Sequence, residues 1–169
     1  MGAESPMLFP PIESLCRPLI SLLPQGEIER HEMAKRYWLM KSEPDAYGWK
    51  DLVAEGEGTW DGVRNHRAAN NLRAMQVGDE AFFYHSNIGK EIVGIVTISQ
   101  SGLTDPSDPE GKWAAVKVKP VRKLARTVTL AQMKADPELA EMEMLKLSRL
   151  SVAEVTPQDW DYILSLAGG

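Results

Sequence analysis

"EAFFYHSN" (80–87) and "EIVGIVTIS" (91–99) decide the fold class of this chain. The first reads as a strand that divides by parity. Phe82, Tyr84 and Ser86 point one way, and Phe83, His85 and Asn87 the other, so one face is expected to be core and the other to carry polar tips. The second is a nearly continuous apolar β-run, the pattern of a central strand covered on both faces. Upstream, "VGD" (77–79) turns the chain into the first of these strands, and "YWLMKS" (37–42) is another strand, ended by Pro44. "GWKDLVAE" (48–55) is a short helix closed by Gly56 and Gly58. Asn65 is placed to cap a further helix, in which Ala68, Leu72 and Met75 form one buried stripe. Downstream, "SGLTDPSDPEG" (101–111) is an acidic, turn-rich loop. "KWAAVKVKP" (112–120) alternates Val116 and Val118 with Lys117 and Lys119 on an open face. "TLAQMKADPELAEM" (129–142) gives one or two short helices interrupted at Pro137, and "RLSVAEV" (149–155) a last strand. Thr156 then caps a closing helix, 157–167, with Pro157 in its first position. Strands not separated by regular helices predict an α+β protein, a curved β-barrel with helices at its mouth.

With 169 residues, the chain can bury a core as one domain without disulfide or metal. Cys16 is the only cysteine, so no internal disulfide and no cysteine-based zinc site can form. His31, His66 and His85 are scattered, and neither a metal nor a cofactor is expected. No run approaches the ~20 apolar residues that cross a bilayer, and residues 1–25 lack the pattern of a secretory signal. The expectation is a cytoplasmic monomer without a membrane partner. Residues 1–32 hold five prolines and no sustained periodicity. They read as a disordered or loosely docked leader, or an over-called start with Met33 as the alternative.

Net charge is −5, which argues against indiscriminate polyanion binding. Two acid-free cationic runs stand against it. One is Arg64–Arg73, with Arg64, Arg67 and Asn71 on one helical face; the other is "KVKPVRKLAR" (117–126). Each alone would read as a solvated face balanced by acids elsewhere, while the two together point evenly to an anionic ligand.

Three places carry candidate chemistry: the strand tip His85, Ser86 and Asn87; Lys41, Ser42 and Glu43 where 37–42 ends; and Trp60 with Asp61 in a loop before the cationic helix. No nucleophile elbow, dinucleotide fingerprint, phosphate-binding P-loop or HExxH is present. Aromatics, amides, hydroxyls and arginines together suit a nucleobase on its phosphate backbone.

"YWLMKSEPDAYGWKDL" (37–52), "TWDGVRN" (59–65), "NNLRAMQVGDEAFFYHSNIGKEIVGI" (70–95), "VTLAQMKADPELAEMEML" (128–145) and "SRLSVAEVT" (148–156) closely resemble the EVE domain of the PUA-like superfamily. The resemblance runs in unbroken order over 37–167 and leaves 1–32 outside. It implies a PUA-like barrel of about five to six strands, with short helices closing a cleft. It also implies non-catalytic recognition of modified bases, such as methylated or hydroxymethylated cytosine, flipped out of DNA or RNA. Matched residue by residue, it points to Trp38, Lys41 and Ser42; to Trp60, Asp61, Val63, Arg64 and Asn65; to Tyr84, His85, Ser86 and Asn87; and to Arg149 and Ser151. In the roles assigned here, the aromatics and Val63 wall the base. Asp61, Asn65 and Ser86 read its edge, and Arg64 and Lys41 meet phosphate. His66 and Arg67 stand where the family carries an aromatic and a glutamine, which strengthens the cationic face and weakens a stacking role at 66. The loop 101–111 also diverges; in the fold the resemblance implies it is expected to border the cleft, so a different base preference is expected. Two other classes stay open: a PUA-like hydrolase of a modified nucleoside, using Lys41 with Glu43 or Asp61, and a protein-interaction domain.

Overall fold

The computed structural model describes residues 35–168; the leader, Met33, Cys16 and His31 lie outside that range. Six strands form one mixed sheet: β1 (Tyr37–Ser42), β2 (Gly58–Trp60), β3 (Glu80–His85), β4 (Glu91–Thr104), β5 (Ala114–Thr129) and β6 (Val152–Val155). Their order is β2-β5-β4-β3-β1-β6. Only β1 and β3 run parallel, so the chain crosses over between them through α1 (Trp49–Glu55), β2 and α2 (His66–Ala74). The other helices are α3 (Leu130–Ala135), α4 (Glu143–Lys146) and α5 (Pro157–Leu166), with a 3-10 turn at Pro137–Leu139. The interruption at Pro137 therefore falls where expected. Among the described residues no helix is long and apolar enough to cross a membrane.

The α+β class and the strand number stand, but the sheet does not close into a barrel. No ladder joins β2 to β6 among the described residues. These edge strands have only three and four residues, and α2 packs against both β5 and β6. Asn71 Nδ2 of α2 donates to the carbonyl of Val152 at 2.7 Å, so a helix side chain takes up a backbone acceptor on the β6 edge.

Both faces of β3 are core, which corrects the expectation of one polar face. Phe82 stacks on Trp160 of α5, with ring centroids 3.9 Å apart, and Tyr37 stacks on the same indole at 4.4 Å. On the opposite face Phe83 receives Trp49 and Trp60 edge-on, at 5.6 and 5.5 Å. Such pairs contribute ~0.5–1.5 kcal/mol each beyond the area they bury. A strand with helices against both faces cannot keep the alternation of a half-buried one, and polar tips begin only at His85.

The strand expected over 112–120 continues to Thr129 through Pro120. Pro120 sits opposite Val96, beside a break in the β4–β5 register, a place where a missing N–H is tolerated. The helix ends follow local chemistry. Asn65 Oδ1 accepts from Ala68 N at 3.0 Å, and Thr156 Oγ1 accepts from Asp159 N at 3.2 Å.

Candidate nucleic-acid interface

Where β1 ends, the chain passes Ser42 and turns at Pro44 into α1. Facing it, β2 ends at Trp60, and Gly62 (φ 72°) swings the chain toward the cap of α2. Between the two segments lies a cleft of about 540 Å³. Lys41, Ser42, Trp60, Asp61, Val63, Arg64, Asn65 and Ser151, all candidates from the sequence, line it together with Tyr47. Trp60 is not in a loop but ends a strand, and it and Val63 are each only 6% exposed, so each presents an edge to the cleft. Asp61 is exposed and makes no hydrogen bond within the described residues. Asn65 engages its Oδ1 in capping α2, which leaves its Nδ2 as an available donor. Ser42 Oγ donates to the Tyr47 carbonyl at 2.6 Å, so its oxygen is left as an acceptor.

The wall carrying these groups is fastened by Asp105. Its carboxylate is buried and accepts from Gly62 N (2.8 Å), Arg64 Nη1 (2.7 Å), Ser107 N (2.7 Å) and Ser107 Oγ (2.6 Å). Burial alone would raise its pKa, but the Arg64, Ser107 and Gly62 donors outweigh burial and hold the carboxyl well below the usual carboxylate range. Arg64 is thereby a strut between 61–64 and 105–107, with its guanidinium 5.6 Å over Trp113. The rest of the first cationic run is engaged likewise. Arg67 pairs with Glu143, and Arg73 bonds Asn70 Oδ1 and the Lys112 carbonyl. The balanced-face reading holds for this run. His66 does find an aromatic partner, Trp113, at 5.0 Å.

The remaining candidates separate. Tyr84, Ser86 and Asn87 line a second cleft of about 210 Å³ that meets the first at Lys41. Arg149 lines a third, with Asn65 and Arg67. Trp38 reaches none of them: it is fully buried, its indole N–H donates to Asp79 Oδ2 at 3.1 Å, and Arg36 covers its ring. His85 is also structural. Its Nε2 accepts from Trp49 N at 3.2 Å, at the first turn of α1. Tyr47, Lys90 and Lys134 were not singled out in the sequence, and Asp105 and Ser107 only through the divergence of the loop that carries them. An Asp before Pro106 reads as ordinary turn chemistry, and nothing near it announces an arginine 41 residues earlier.

Lys41 bridges the two clefts. Its Nζ donates to the Ser148 carbonyl at 3.0 Å and lies 5.9 Å from the Tyr84 ring centre. Burial lowers its pKa, and no carboxylate pairs with it among the described residues. Nor, among those residues, is there a group of three or more His, Cys, Asp or Glu placed to hold a metal ion.

His85 yields a pH prediction. Burial pushes its imidazole below 6.5; Glu91 opposes this and Lys123 adds to it, and only the neutral ring can accept at Nε2. As pH falls through 6.5, the unfolded chain takes up a proton that the folded chain refuses, so stability is full above that value and declines below it. Urea midpoints measured from pH 8 to 5.5 should fall toward acid in the wild type. In His85→Asn they should fall less; equal slopes would remove His85 from the linkage.

The EVE domain family model matches residues 36–166. The chain belongs to the EVE domain family. Among relatives, thymocyte nuclear protein 1 of Mus musculus is 38% identical, over 77% of this chain and 73% of that protein. A solution structure of a Rhodopseudomonas palustris protein is 47% identical, with a TM-score of 0.75, covering 79% of this chain and 93% of that one. The crystal structure of human THYN1 protein in complex with 5-methylcytosine-containing DNA is 35% identical, with a TM-score of 0.72, over 80% and 99%. The EVE match spans every element around the clefts, from β1 through α5.

Proposed function

We propose that this EVE domain is a non-catalytic reader of modified cytosine in DNA, taking the flipped base into the cleft between β1 and the 59–65 segment. One observation carries the reading: edges of Trp60 and Val63 stand beside an unengaged carboxylate, Asp61, and an unengaged amide donor, Asn65 Nδ2. Cytosine offers an exocyclic amine and two acceptors along its pairing edge. A carboxylate suits the amine, and an amide N–H suits an acceptor. A 5-methyl or hydroxymethyl group then lies against apolar surface. The related human protein's complex with 5-methylcytosine DNA supports the same class of ligand. Flipping costs a few kcal/mol, which hydrogen bonds to the base edge and contact with the Trp60 and Val63 edges help offset. Lys41 Nζ donates to a backbone carbonyl and makes no ion pair with a carboxylate among the described residues, which favours binding over hydrolysis of a modified nucleoside.

The test is a tryptophan-fluorescence titration at fixed salt, since phosphate contacts are salt-dependent. Duplexes carrying cytosine, methylcytosine or thymine at one position are compared, with an RNA arm of the same sequence. Methylcytosine DNA should bind tightest. Asp61→Ala, which removes no internal bond, should weaken that complex by about tenfold or more, since a good base contact contributes ~1–3 kcal/mol. Equal affinity for all three duplexes, or an Asp61→Ala variant that keeps the preference, would refute the reading.

A further inference from the structure

We propose that the second cleft, where Lys41, Lys90 and Lys134 converge, is a phosphate subsite. In this protein it holds the backbone phosphate that flanks the flipped base. The choice of backbone phosphate rests on the reader function above; the anion site itself does not.

The cleft holds about 210 Å³, and no carboxylate lines it in a chain with net charge −5. Its polar lining beyond the lysines comes from Tyr84, Ser86, Asn87 and Ser148, all able to donate to an anion. Neither Lys90 nor Lys134 makes an ion pair within the described residues, whereas Lys35, Lys112 and Lys146 each do. Glu91, which packs beside Gly89, does not line the cleft. Three lysines line one small cavity that no carboxylate lines, which leaves a counter-charge to be supplied from outside the chain.

The turn that delivers Lys90 is built, not loose. Asn87 (φ 64°) and Lys90 (φ 48°) are the only described non-glycine residues in the left-handed region. Backbone of this kind persists only where its surroundings hold it, and it gathers at ligand sites. Here the Leu130 N–H donates to the Lys90 carbonyl at 2.8 Å, tying the turn to the start of α3, the helix that carries Lys134. The Ser86 N–H donates to the Ser42 carbonyl at 2.9 Å, tying its other end to the rim of the base cleft. Lys41 lines both clefts, so an anion in one adjoins a base in the other.

The probe is inorganic phosphate added to the ¹⁵N-labelled protein, against sodium chloride at matched ionic strength. Amide shifts should move at Ser86–Lys90 and Lys134 with phosphate only, and should not move in a Lys90→Gln/Lys134→Gln variant. With duplex DNA that variant should bind methylcytosine and cytosine forms more weakly by the same factor. Its log K against log salt should be shallower by about 1, the loss of one phosphate contact. An unchanged salt slope with no phosphate-specific shifts overturns the subsite. Shifts with phosphate and cytidine monophosphate but an unchanged DNA slope keep the anion site and overturn its use for backbone. A shallower slope in a protein with no base preference keeps the subsite and refutes the reader function.

Discussion

Asp105→Ala should destabilise the domain by about 3 kcal/mol and abolish its base preference together. The substitution leaves the Gly62 and Ser107 N–H groups, the Ser107 hydroxyl and one face of Arg64 without their acceptor. A buried donor that loses its partner costs ~1–3 kcal/mol. The sum stays below a simple total, because Arg64 is 43% exposed and water can reach it. The functional consequence follows from position. Gly62 N–H is held between Asp61 and Val63, so releasing it frees the wall that aims both side chains. The acid limb of stability should change too. A carboxyl held low in the folded chain contributes stability that is present above its ordinary value near 3.8 and lost as pH falls below it. Chemical denaturation at pH 7 and pH 3 checks both points: wild type and variant should differ most at pH 7, and the difference should begin to narrow at pH 3. A constant difference would place the role of Asp105 in packing alone. Arg64→Ala should cost less than Asp105→Ala, because two backbone N–H donors stay satisfied.

Gly94→Ala should cost about 3 kcal/mol, the upper part of the range for overpacking, and lower Tm by on the order of 10 °C. A Cβ at position 94 would lie 2.5 Å from Cη2 of Trp49, closer than real Cβ contacts permit. The indole is 8% exposed, meets Phe83 edge-on, and belongs to the residue whose N–H bonds His85. It cannot retreat without moving α1, and α1 follows directly on the Pro44–Tyr47 segment that borders the cleft proposed to take the base. Thermal melts of Gly94→Ala, Trp49→Phe and the double variant provide the check. The smaller ring should make the alanine cheaper, giving a coupling of about 1 kcal/mol or more. Additive effects would mean that the close approach is not what requires glycine.

Most strands and helices were legible because their causes are local. The apolar run at 91–99, the break at Pro137 and the caps at Asn65 and Thr156 each act within a few residues of themselves. Errors began where a distant partner decided. Phe83 and His85 share a parity with Asn87, and parity alone cannot tell that Trp49 and Trp60 cover that face. Trp38 belongs to a motif that marks the family, yet its motif is met by a buried bond to Asp79 and not by the cleft. The arginines of 64–73 looked like a ligand surface because their acceptors, Asp105, Glu143 and the Lys112 carbonyl, stand far along the chain.

By itself the sequence determined the family, the α+β class and the order of elements. Periodicity, capping and contiguous motifs are properties of neighbours in the chain. Tertiary structure alone decided that the sheet stays open, with α2 packed against β5 and β6. It also decided which cations are available. An ammonium or guanidinium is free or engaged according to the carboxylate that folding brings within a few ångströms, because charge pairing depends on distance in space. That is why Arg64 became a strut, while Lys90 and Lys134, unremarkable in the sequence, were left facing a cleft with no acid.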